Sequence, residues 1–275
     1  MAISPSQFEQ VRSLVAGASG IHLEPGMETR VESCLENLAR HLKFGSSIEF
    51  FRSLEKGSIH DAGFLLSEAV ADRDTSFFRD PLAFEALRKV ILPELVQSRS
   101  AERSLLIWSA GCSSGQEPYS LAILLREHFP ELAGWKIEIH AVDIAEDALE
   151  TAKAGVYTQA NVNRGVPAPL LLKHFVKAQD QWHLKDEVRQ LVRYHQINLA
   201  EAWPELPPMD LILLRYVLSS WNKQTQELVL ERSAKLLRPG GSLLIGMRET
   251  LPVVADWFEE RAAGKTAVYV PKRRG

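Results

Sequence analysis

Through the first hundred positions the apolar residues recur at helical spacing. Phe8, Val11, Leu14, Val15 and Ala18 fall on one helix face, which Gly20 ends. Val31, Leu35, Leu38 and Leu42 form a second face, ended by Gly45. Ser47, read as an N-cap, opens a third helix through Phe50, Phe51 and Leu54. Phe64 to Val70 and Pro81 to Val96 add two more. No strand pattern interrupts this run from Ser6 to Ser98, so residues 1–80 are expected to form a helical N-terminal domain.

After Ser100 the rhythm changes. The run Leu105–Ala110 is apolar and short, and a Gly/Ser turn and a helix from Pro118 follow it. Lys136–Ile144 reads as a second strand, backed by a helix over Glu146–Ala154 that stops at Gly155. Leu211–Leu214 sits in a third strand, and a helix runs from about Gln224 to Leu237. Pro239, Gly240 and Gly241 then turn the chain into SLLIGM, and TAVYV makes a last strand. Nearly continuous apolar strands alternating with helices predict an α/β domain over 81–275, its mainly parallel sheet covered on both faces. Between Phe175 and Asn198 the alternation breaks, and a small antiparallel β-subdomain is expected over about 176–197.

Composition narrows the class. A chain of 275 residues with 45% hydrophobic and 24% charged residues is globular rather than disordered or fibrous. Its 32 basic and 35 acidic residues give a net charge of −3, which argues against a broad grip on nucleic acid. Cys34 and Cys112 are far apart and form no CxxC, against both a disulfide scaffold and a cysteine-rich zinc site. The N-terminus lacks an apolar signal core and no run is long enough to span a bilayer, so a soluble, cytoplasmic protein without membrane insertion is expected.

The most informative stretch is IWSAGCSSGQEPYS, residues 107–120. A buried strand ends at Ala110, Gly111 and Gly115 bracket a small-residue turn, and a helix follows. Glycines there let backbone approach a ligand at the carboxyl edge of a doubly wound sheet. The spacing is neither the dinucleotide nor the phosphate-loop pattern. Asp143, 28 residues beyond Gly115, ends the second strand and could accept hydrogen bonds from ribose hydroxyls. Turn plus acid make a nucleoside pocket without a diphosphate cradle, favouring S-adenosylmethionine over NAD; a tight structural turn is the alternative. In Thr75–Arg79 the two phenylalanines read as core, whereas Arg79 calls for a carboxylate or ligand partner. The histidines form no metal motif, and neither Ser113 nor Ser114 has the context of a hydrolase nucleophile.

With these pieces in order, the sequence resembles the CheR-type chemotaxis receptor methyltransferases, which methylate receptor glutamates with S-adenosyl-L-methionine and release S-adenosyl-L-homocysteine. The likeness runs through SGIHL, DTSFFRD, WSAGCSSGQEPYSLAI, AVDIAEDALETAKAGVY, VRYHQINL, LRPGGSLLIGMRE and KTAVYV. It implies a Rossmann-like methyltransferase domain with a small β-subdomain behind an all-α domain. It also implies that Thr75 and Arg79 enter the cofactor site, with Arg79 at the reacting groups as the catalytic residue. Gly111 and Gly115 would make the turn, with Glu117 beside it, Asp143 on the ribose, Asn198 and Leu199 along the adenine, and Arg215 and Tyr216 at the pocket edge. The implied partner is the cytoplasmic domain of a chemoreceptor.

The chain departs from the family at two places on that edge. Tyr216 stands where the family has asparagine and Ser220 where it has tyrosine. An inward Tyr216 would either stack on the adenine or crowd it. These changes raise the alternative of a cofactor-binding regulatory protein with weak or redirected transfer. Members that tether to a receptor C-terminal pentapeptide tend to carry a glycine-containing β-subdomain loop; no glycine occurs here between Gly165 and Gly240, so tether-independent binding is expected.

Overall fold

The structure is a computed structural model that describes residues 3–247, 249 and 252–272. Arg248 of the LRPGGSLLIGMRE segment therefore lies outside the described residues. Helices α1 (Pro5–Ser19), α2 (Glu28–His41), α3 (Ser47–Glu55) and α4 (Ala62–Val70) come first. Ser4 caps α1 in a reciprocal pair with Gln7, and Gly20 ends it at φ +68. Ser46, one residue before the expected Ser47, caps α3. Helix α5 (Pro81–Ala86) runs through a π turn at Leu87–Ile91 directly into α6 (Leu92–Ser98). The expected helix from Pro81 is one rod with a wide turn in it.

The α/β part then follows as β1 (Ser104–Ala110), α7 (Gln116–His128), β2 (Lys136–Asp143) and α8 (Glu146–Ala154). Next come β3 (Val156–Thr158), α9 (Gln159–Asn163), α10 (Ala168–His174), β4 (Phe175–Ala178), β5 (Gln181–Leu184) and α11 (Asp186–Arg189). The chain ends through β6 (Val192–Gln196), β7 (Met209–Leu214), α12 (Lys223–Leu236), β8 (Leu237–Ile245), α13 (Val254–Trp257), β9 (Phe258–Ala263) and β10 (Thr266–Pro271). Seven strands make one sheet in the order β6-β2-β1-β7-β8-β10-β9. The first five run parallel, and β10 is antiparallel to both neighbours.

Alternation along β1 divides the core into two layers. Leu105 and Ile107 face α5–α8 and the small sheet, whereas Leu106, Trp108 and Ala110 face the other side. That second layer is continuous with Phe8, Val11, Leu35, Phe50 and Leu66 of the first four helices and with Val229 and Leu230 of α12. The N-terminal helices thus cover one face of the sheet. No helix among the described residues is long and apolar enough to cross a membrane.

The small sheet corrects the expected insertion. It is antiparallel, in the order β3-β5-β4, and it takes β3 from before Phe175. Val192–Gln196, expected within the insertion, instead pairs in parallel with β2 at the edge of the large sheet. An edge strand buries one face only, so Val192 packs into the core while Arg193 and His195 meet solvent. That half-polar pattern imitates an antiparallel ribbon. Strand β9, FEERAA, escaped the sequence reading for a related reason: only its two ends are buried.

Candidate functional site

The chain leaves β1 for β2 on one side and later returns to β7 on the other, so the connections diverge at the carboxyl ends of these strands. A cavity of about 290 Å³ opens there. Thr75, Arg79, Gly111, Glu117, Asp143, Asn198, Leu199, Arg215 and Tyr216 all line it. Gly115 does not.

Gly111 ends β1 at φ +75, and its N–H donates to the Val142 carbonyl at 2.8 Å. A Cβ there would come within 2.3 Å of Val217, so only glycine lets the turn meet the loop after β7. Gly115, at φ +88, precedes α7. Its missing Cβ would lie 2.8 Å from both the Ala152 Cβ and the Tyr194 hydroxyl. This glycine packs the turn against α8 and β6 from behind. Gly115→Ala should cost about 1–3 kcal/mol in urea unfolding, through left-handed strain and overpacking. A stability equal to wild type would contradict this packing.

Asp143 is held by the turn it faces. Its carboxylate accepts the Ser113 N–H at 2.7 Å and the Ala145 N–H at 3.0 Å, one on each oxygen. Burial pushes its pKa above the ordinary 3.8, and these amides offset that only in part. Each oxygen keeps lone-pair capacity toward the cavity. Asn198 donates to the Ala18 carbonyl at 2.7 Å and accepts from the Ala200 N–H at 3.1 Å, which ties the loop after β6 to the end of α1.

At the opposite end lies an ionic cluster. The Arg215 side chain, 1% exposed, donates to Glu117 at 2.7 Å and to Asp80 at 2.8 Å. It also donates to the Arg79 carbonyl at 2.7 Å. Ser109, on β1, donates to the other Glu117 oxygen at 2.7 Å. Glu117 is therefore committed to the protein's own groups. The Tyr216 hydroxyl donates to Asp80. Burial would raise the Asp80 pKa, but the Tyr216 hydroxyl and the Arg215 guanidinium outweigh it and hold the carboxyl below its usual range. For Tyr216, burial and the neighbouring carboxylate push the phenol up to about 12. The Arg79 guanidinium lies 3.9 Å from the Tyr216 ring centroid and donates to the Asp74 carbonyl at 2.7 Å.

The sequence reading missed one whole wall. Ser19, Ile21, His22, Leu23 and Met27 line the cavity from the segment between α1 and α2, with Trp221 beside them. Ile21 bridges to Trp221 as an isolated antiparallel pair, and the His22 N–H donates to the Ser220 carbonyl at 2.7 Å. Gly20 makes the approach possible, since a Cβ there would lie 2.4 Å from the Thr225 hydroxyl. Ser220 also lines the cavity, and its hydroxyl donates back to the Val217 carbonyl at 2.6 Å.

Comparison with known proteins agrees with this arrangement. Residues 73–267 match the family described as CheR methyltransferase, SAM binding domain. Chemotaxis protein methyltransferase 1 of Pseudomonas aeruginosa is 30% identical over 99% of this chain and 100% of its own. Chemotaxis protein methyltransferase 2 of the same organism is 34% identical, covering 96% of this chain and 92% of the relative. A chemotaxis protein methyltransferase of Vibrio parahaemolyticus is 31% identical over 94% of both.

Proposed function

This chain belongs to the CheR methyltransferase family, and from that premise we propose that it methylates glutamate side chains in the cytoplasmic domain of a chemoreceptor. It is an S-adenosylmethionine-dependent methyltransferase of chemotaxis. The observation that carries the finer reading is a cavity at the carboxyl ends of β1, β2 and β7 that both Asp143 and Arg79 line.

The residues fit the cofactor. Asp143 offers ribose hydroxyls a carboxylate already fixed by two amides, and Gly111 brings the turn against Val217 in the cavity wall. The bound cofactor supplies a methyl group on a sulfonium. An acceptor glutamate, with an ordinary pKa of about 4.3, is already ionised at neutral pH and needs no general base. Asp80 and Glu117, the carboxylates of the ionic cluster, are both engaged by Arg215. What the protein contributes is alignment, and Arg79, which lines the cavity with Asp74 Oδ2 3.8 Å away, is the cation we assign to orient an incoming carboxylate.

Transfer of labelled methyl from S-adenosylmethionine to a cognate receptor fragment tests this function. Arg79→Ala should keep its circular dichroism and lose transfer roughly a hundredfold, the scale of lost alignment. Wild-type rates in the folded variant would remove Arg79 from the reaction. The receptor is reached without a C-terminal pentapeptide tether: β4 and β5 are joined by Gln179 and Asp180 alone, with no glycine loop. Binding of a receptor pentapeptide at about micromolar Kd would refute this.

A further inference from the structure

Arg79 has too little holding it to keep a guanidinium aligned, apart from one neighbour. Its side chain is 30% exposed, Asp74 Oδ2 is 3.8 Å away, and it donates to the Asp74 carbonyl. A long side chain with that freedom loses rotamer entropy whenever it must orient a substrate. A further contact is the face of Tyr216, with the guanidinium carbon 3.9 Å from the ring centroid, well inside cation–π range. Stacking takes up the flat face of a guanidinium and leaves its N–H edge for a carboxylate.

The ring itself is fixed at several points. Tyr216 sits at φ +61, a conformation a tyrosine adopts only when its surroundings demand it. Its N–H donates to Glu249 at 2.6 Å, and the same carboxylate accepts the Gly246 N–H at 2.9 Å. A Cβ on Gly246 would lie 2.9 Å from the Tyr216 ring, so that glycine provides the slot on which the ring lies. The hydroxyl is anchored on Asp80, which is in turn held by Arg215. Gly246, Asp80 and Glu249 therefore define the plane on which Arg79 rests.

We propose that Tyr216 is the positioning residue of the acceptor end: its ring, clamped by Gly246, Asp80 and Glu249, is a platform that holds the Arg79 guanidinium toward the incoming carboxylate. The proposal rests on the reading of this cavity as the methyl-transfer site. It assigns work to one of the two residues that set this chain apart in the sequence resemblance, since an asparagine offers no ring face.

Tyr216→Phe keeps the ring and removes the hydroxyl, whereas Tyr216→Asn removes the ring with a residue suited to left-handed backbone. Single-turnover transfer to a cognate receptor fragment is measured at saturating S-adenosylmethionine, beside calorimetry with S-adenosylhomocysteine. Tyr216→Asn should lose about tenfold in rate, or about 1.4 kcal/mol, with product affinity unchanged within about threefold. Tyr216→Phe, which loses the Asp80 anchor but keeps the ring face, should fall between that variant and wild type, about threefold slower than wild type. In proton–nitrogen spectra of the wild-type chain, the Arg79 side chain should show an upfield ring-current shift that survives in Tyr216→Phe and vanishes in Tyr216→Asn. Absence of that shift in the wild type overturns the platform whatever the activity. A Tyr216→Asn rate equal to wild type, with Arg79→Ala slow, overturns it too. An Arg79→Ala rate equal to wild type instead overturns the underlying assignment of Arg79.

Discussion

Arg215→Ala is expected to destabilise the protein by about 3–5 kcal/mol and to abolish useful transfer, because it leaves two partly buried carboxylates without their shared cation. Asp80 and Glu117 approach the same guanidinium at 2.8 and 2.7 Å, and neither has another cation within bonding distance among the described residues. The deficit has a pH signature. In the wild type, Asp80 is held below the usual carboxylate range, so its contribution is present above its unfolded pKa and is lost as pH falls through the folded value. Without Arg215 the Asp80 carboxyl is free to take up a proton. The gap between variant and wild type should be largest at neutral pH and shrink toward acid, as urea titrations at two pH values would show. Adding Asp80→Asn and Glu117→Gln to an Arg215→Met background should recover much of the stability but not the activity, since buried ion pairs are replaceable for folding. A single variant as stable as wild type would mean that the cluster does not hold the two strand ends together.

Part of this design is legible in the chain because it is local. The turn from Gly111 and the acid at Asp143 lie at the ends of adjacent parallel strands, and strand ends are marked by apolar runs. The position of Gly115 was legible but not its job, because its neighbours Ala152 and Tyr194 come from α8 and β6. The wall made by Ile21 and His22 rests on contacts with Trp221 and Ser220, two hundred residues onward, and no periodicity encodes such a pairing. Gly20 was read only as a helix stop, yet it also admits Thr225 of α12. The direction of Tyr216 was open for the same reason. It follows from Asp80, itself at φ +60, and from Gly246 at the end of β8, neither of which announces a partner in sequence.

Asp143 should prove the strongest determinant of cofactor affinity, and the choice of variant decides what is learned. Asp143→Ala would strand the Ser113 and Ala145 amides, and each buried donor left unpaired costs about 1–3 kcal/mol. Affinity lost in that variant would mix folding with binding. Asp143→Asn keeps one acceptor oxygen and removes the charge, so it strands one of the two amides instead of both and is the cleaner probe. Hydrogen bonds to a charged acceptor contribute about 1.5–3 kcal/mol each, so weakening two ribose contacts should lower S-adenosylhomocysteine affinity by about tenfold or more. The control lies in the ligand: wild type should discriminate strongly against an analogue lacking the ribose hydroxyls, and Asp143→Asn should flatten that difference, leaving the two ligands nearly equal. Because burial raises the pKa of this carboxyl, wild-type affinity should begin to fall at a higher pH than an ordinary aspartate would give, and the asparagine variant should not share that acid limb. Equal losses for both ligands would place Asp143 in the architecture of the turn alone, with its two amides as its whole task.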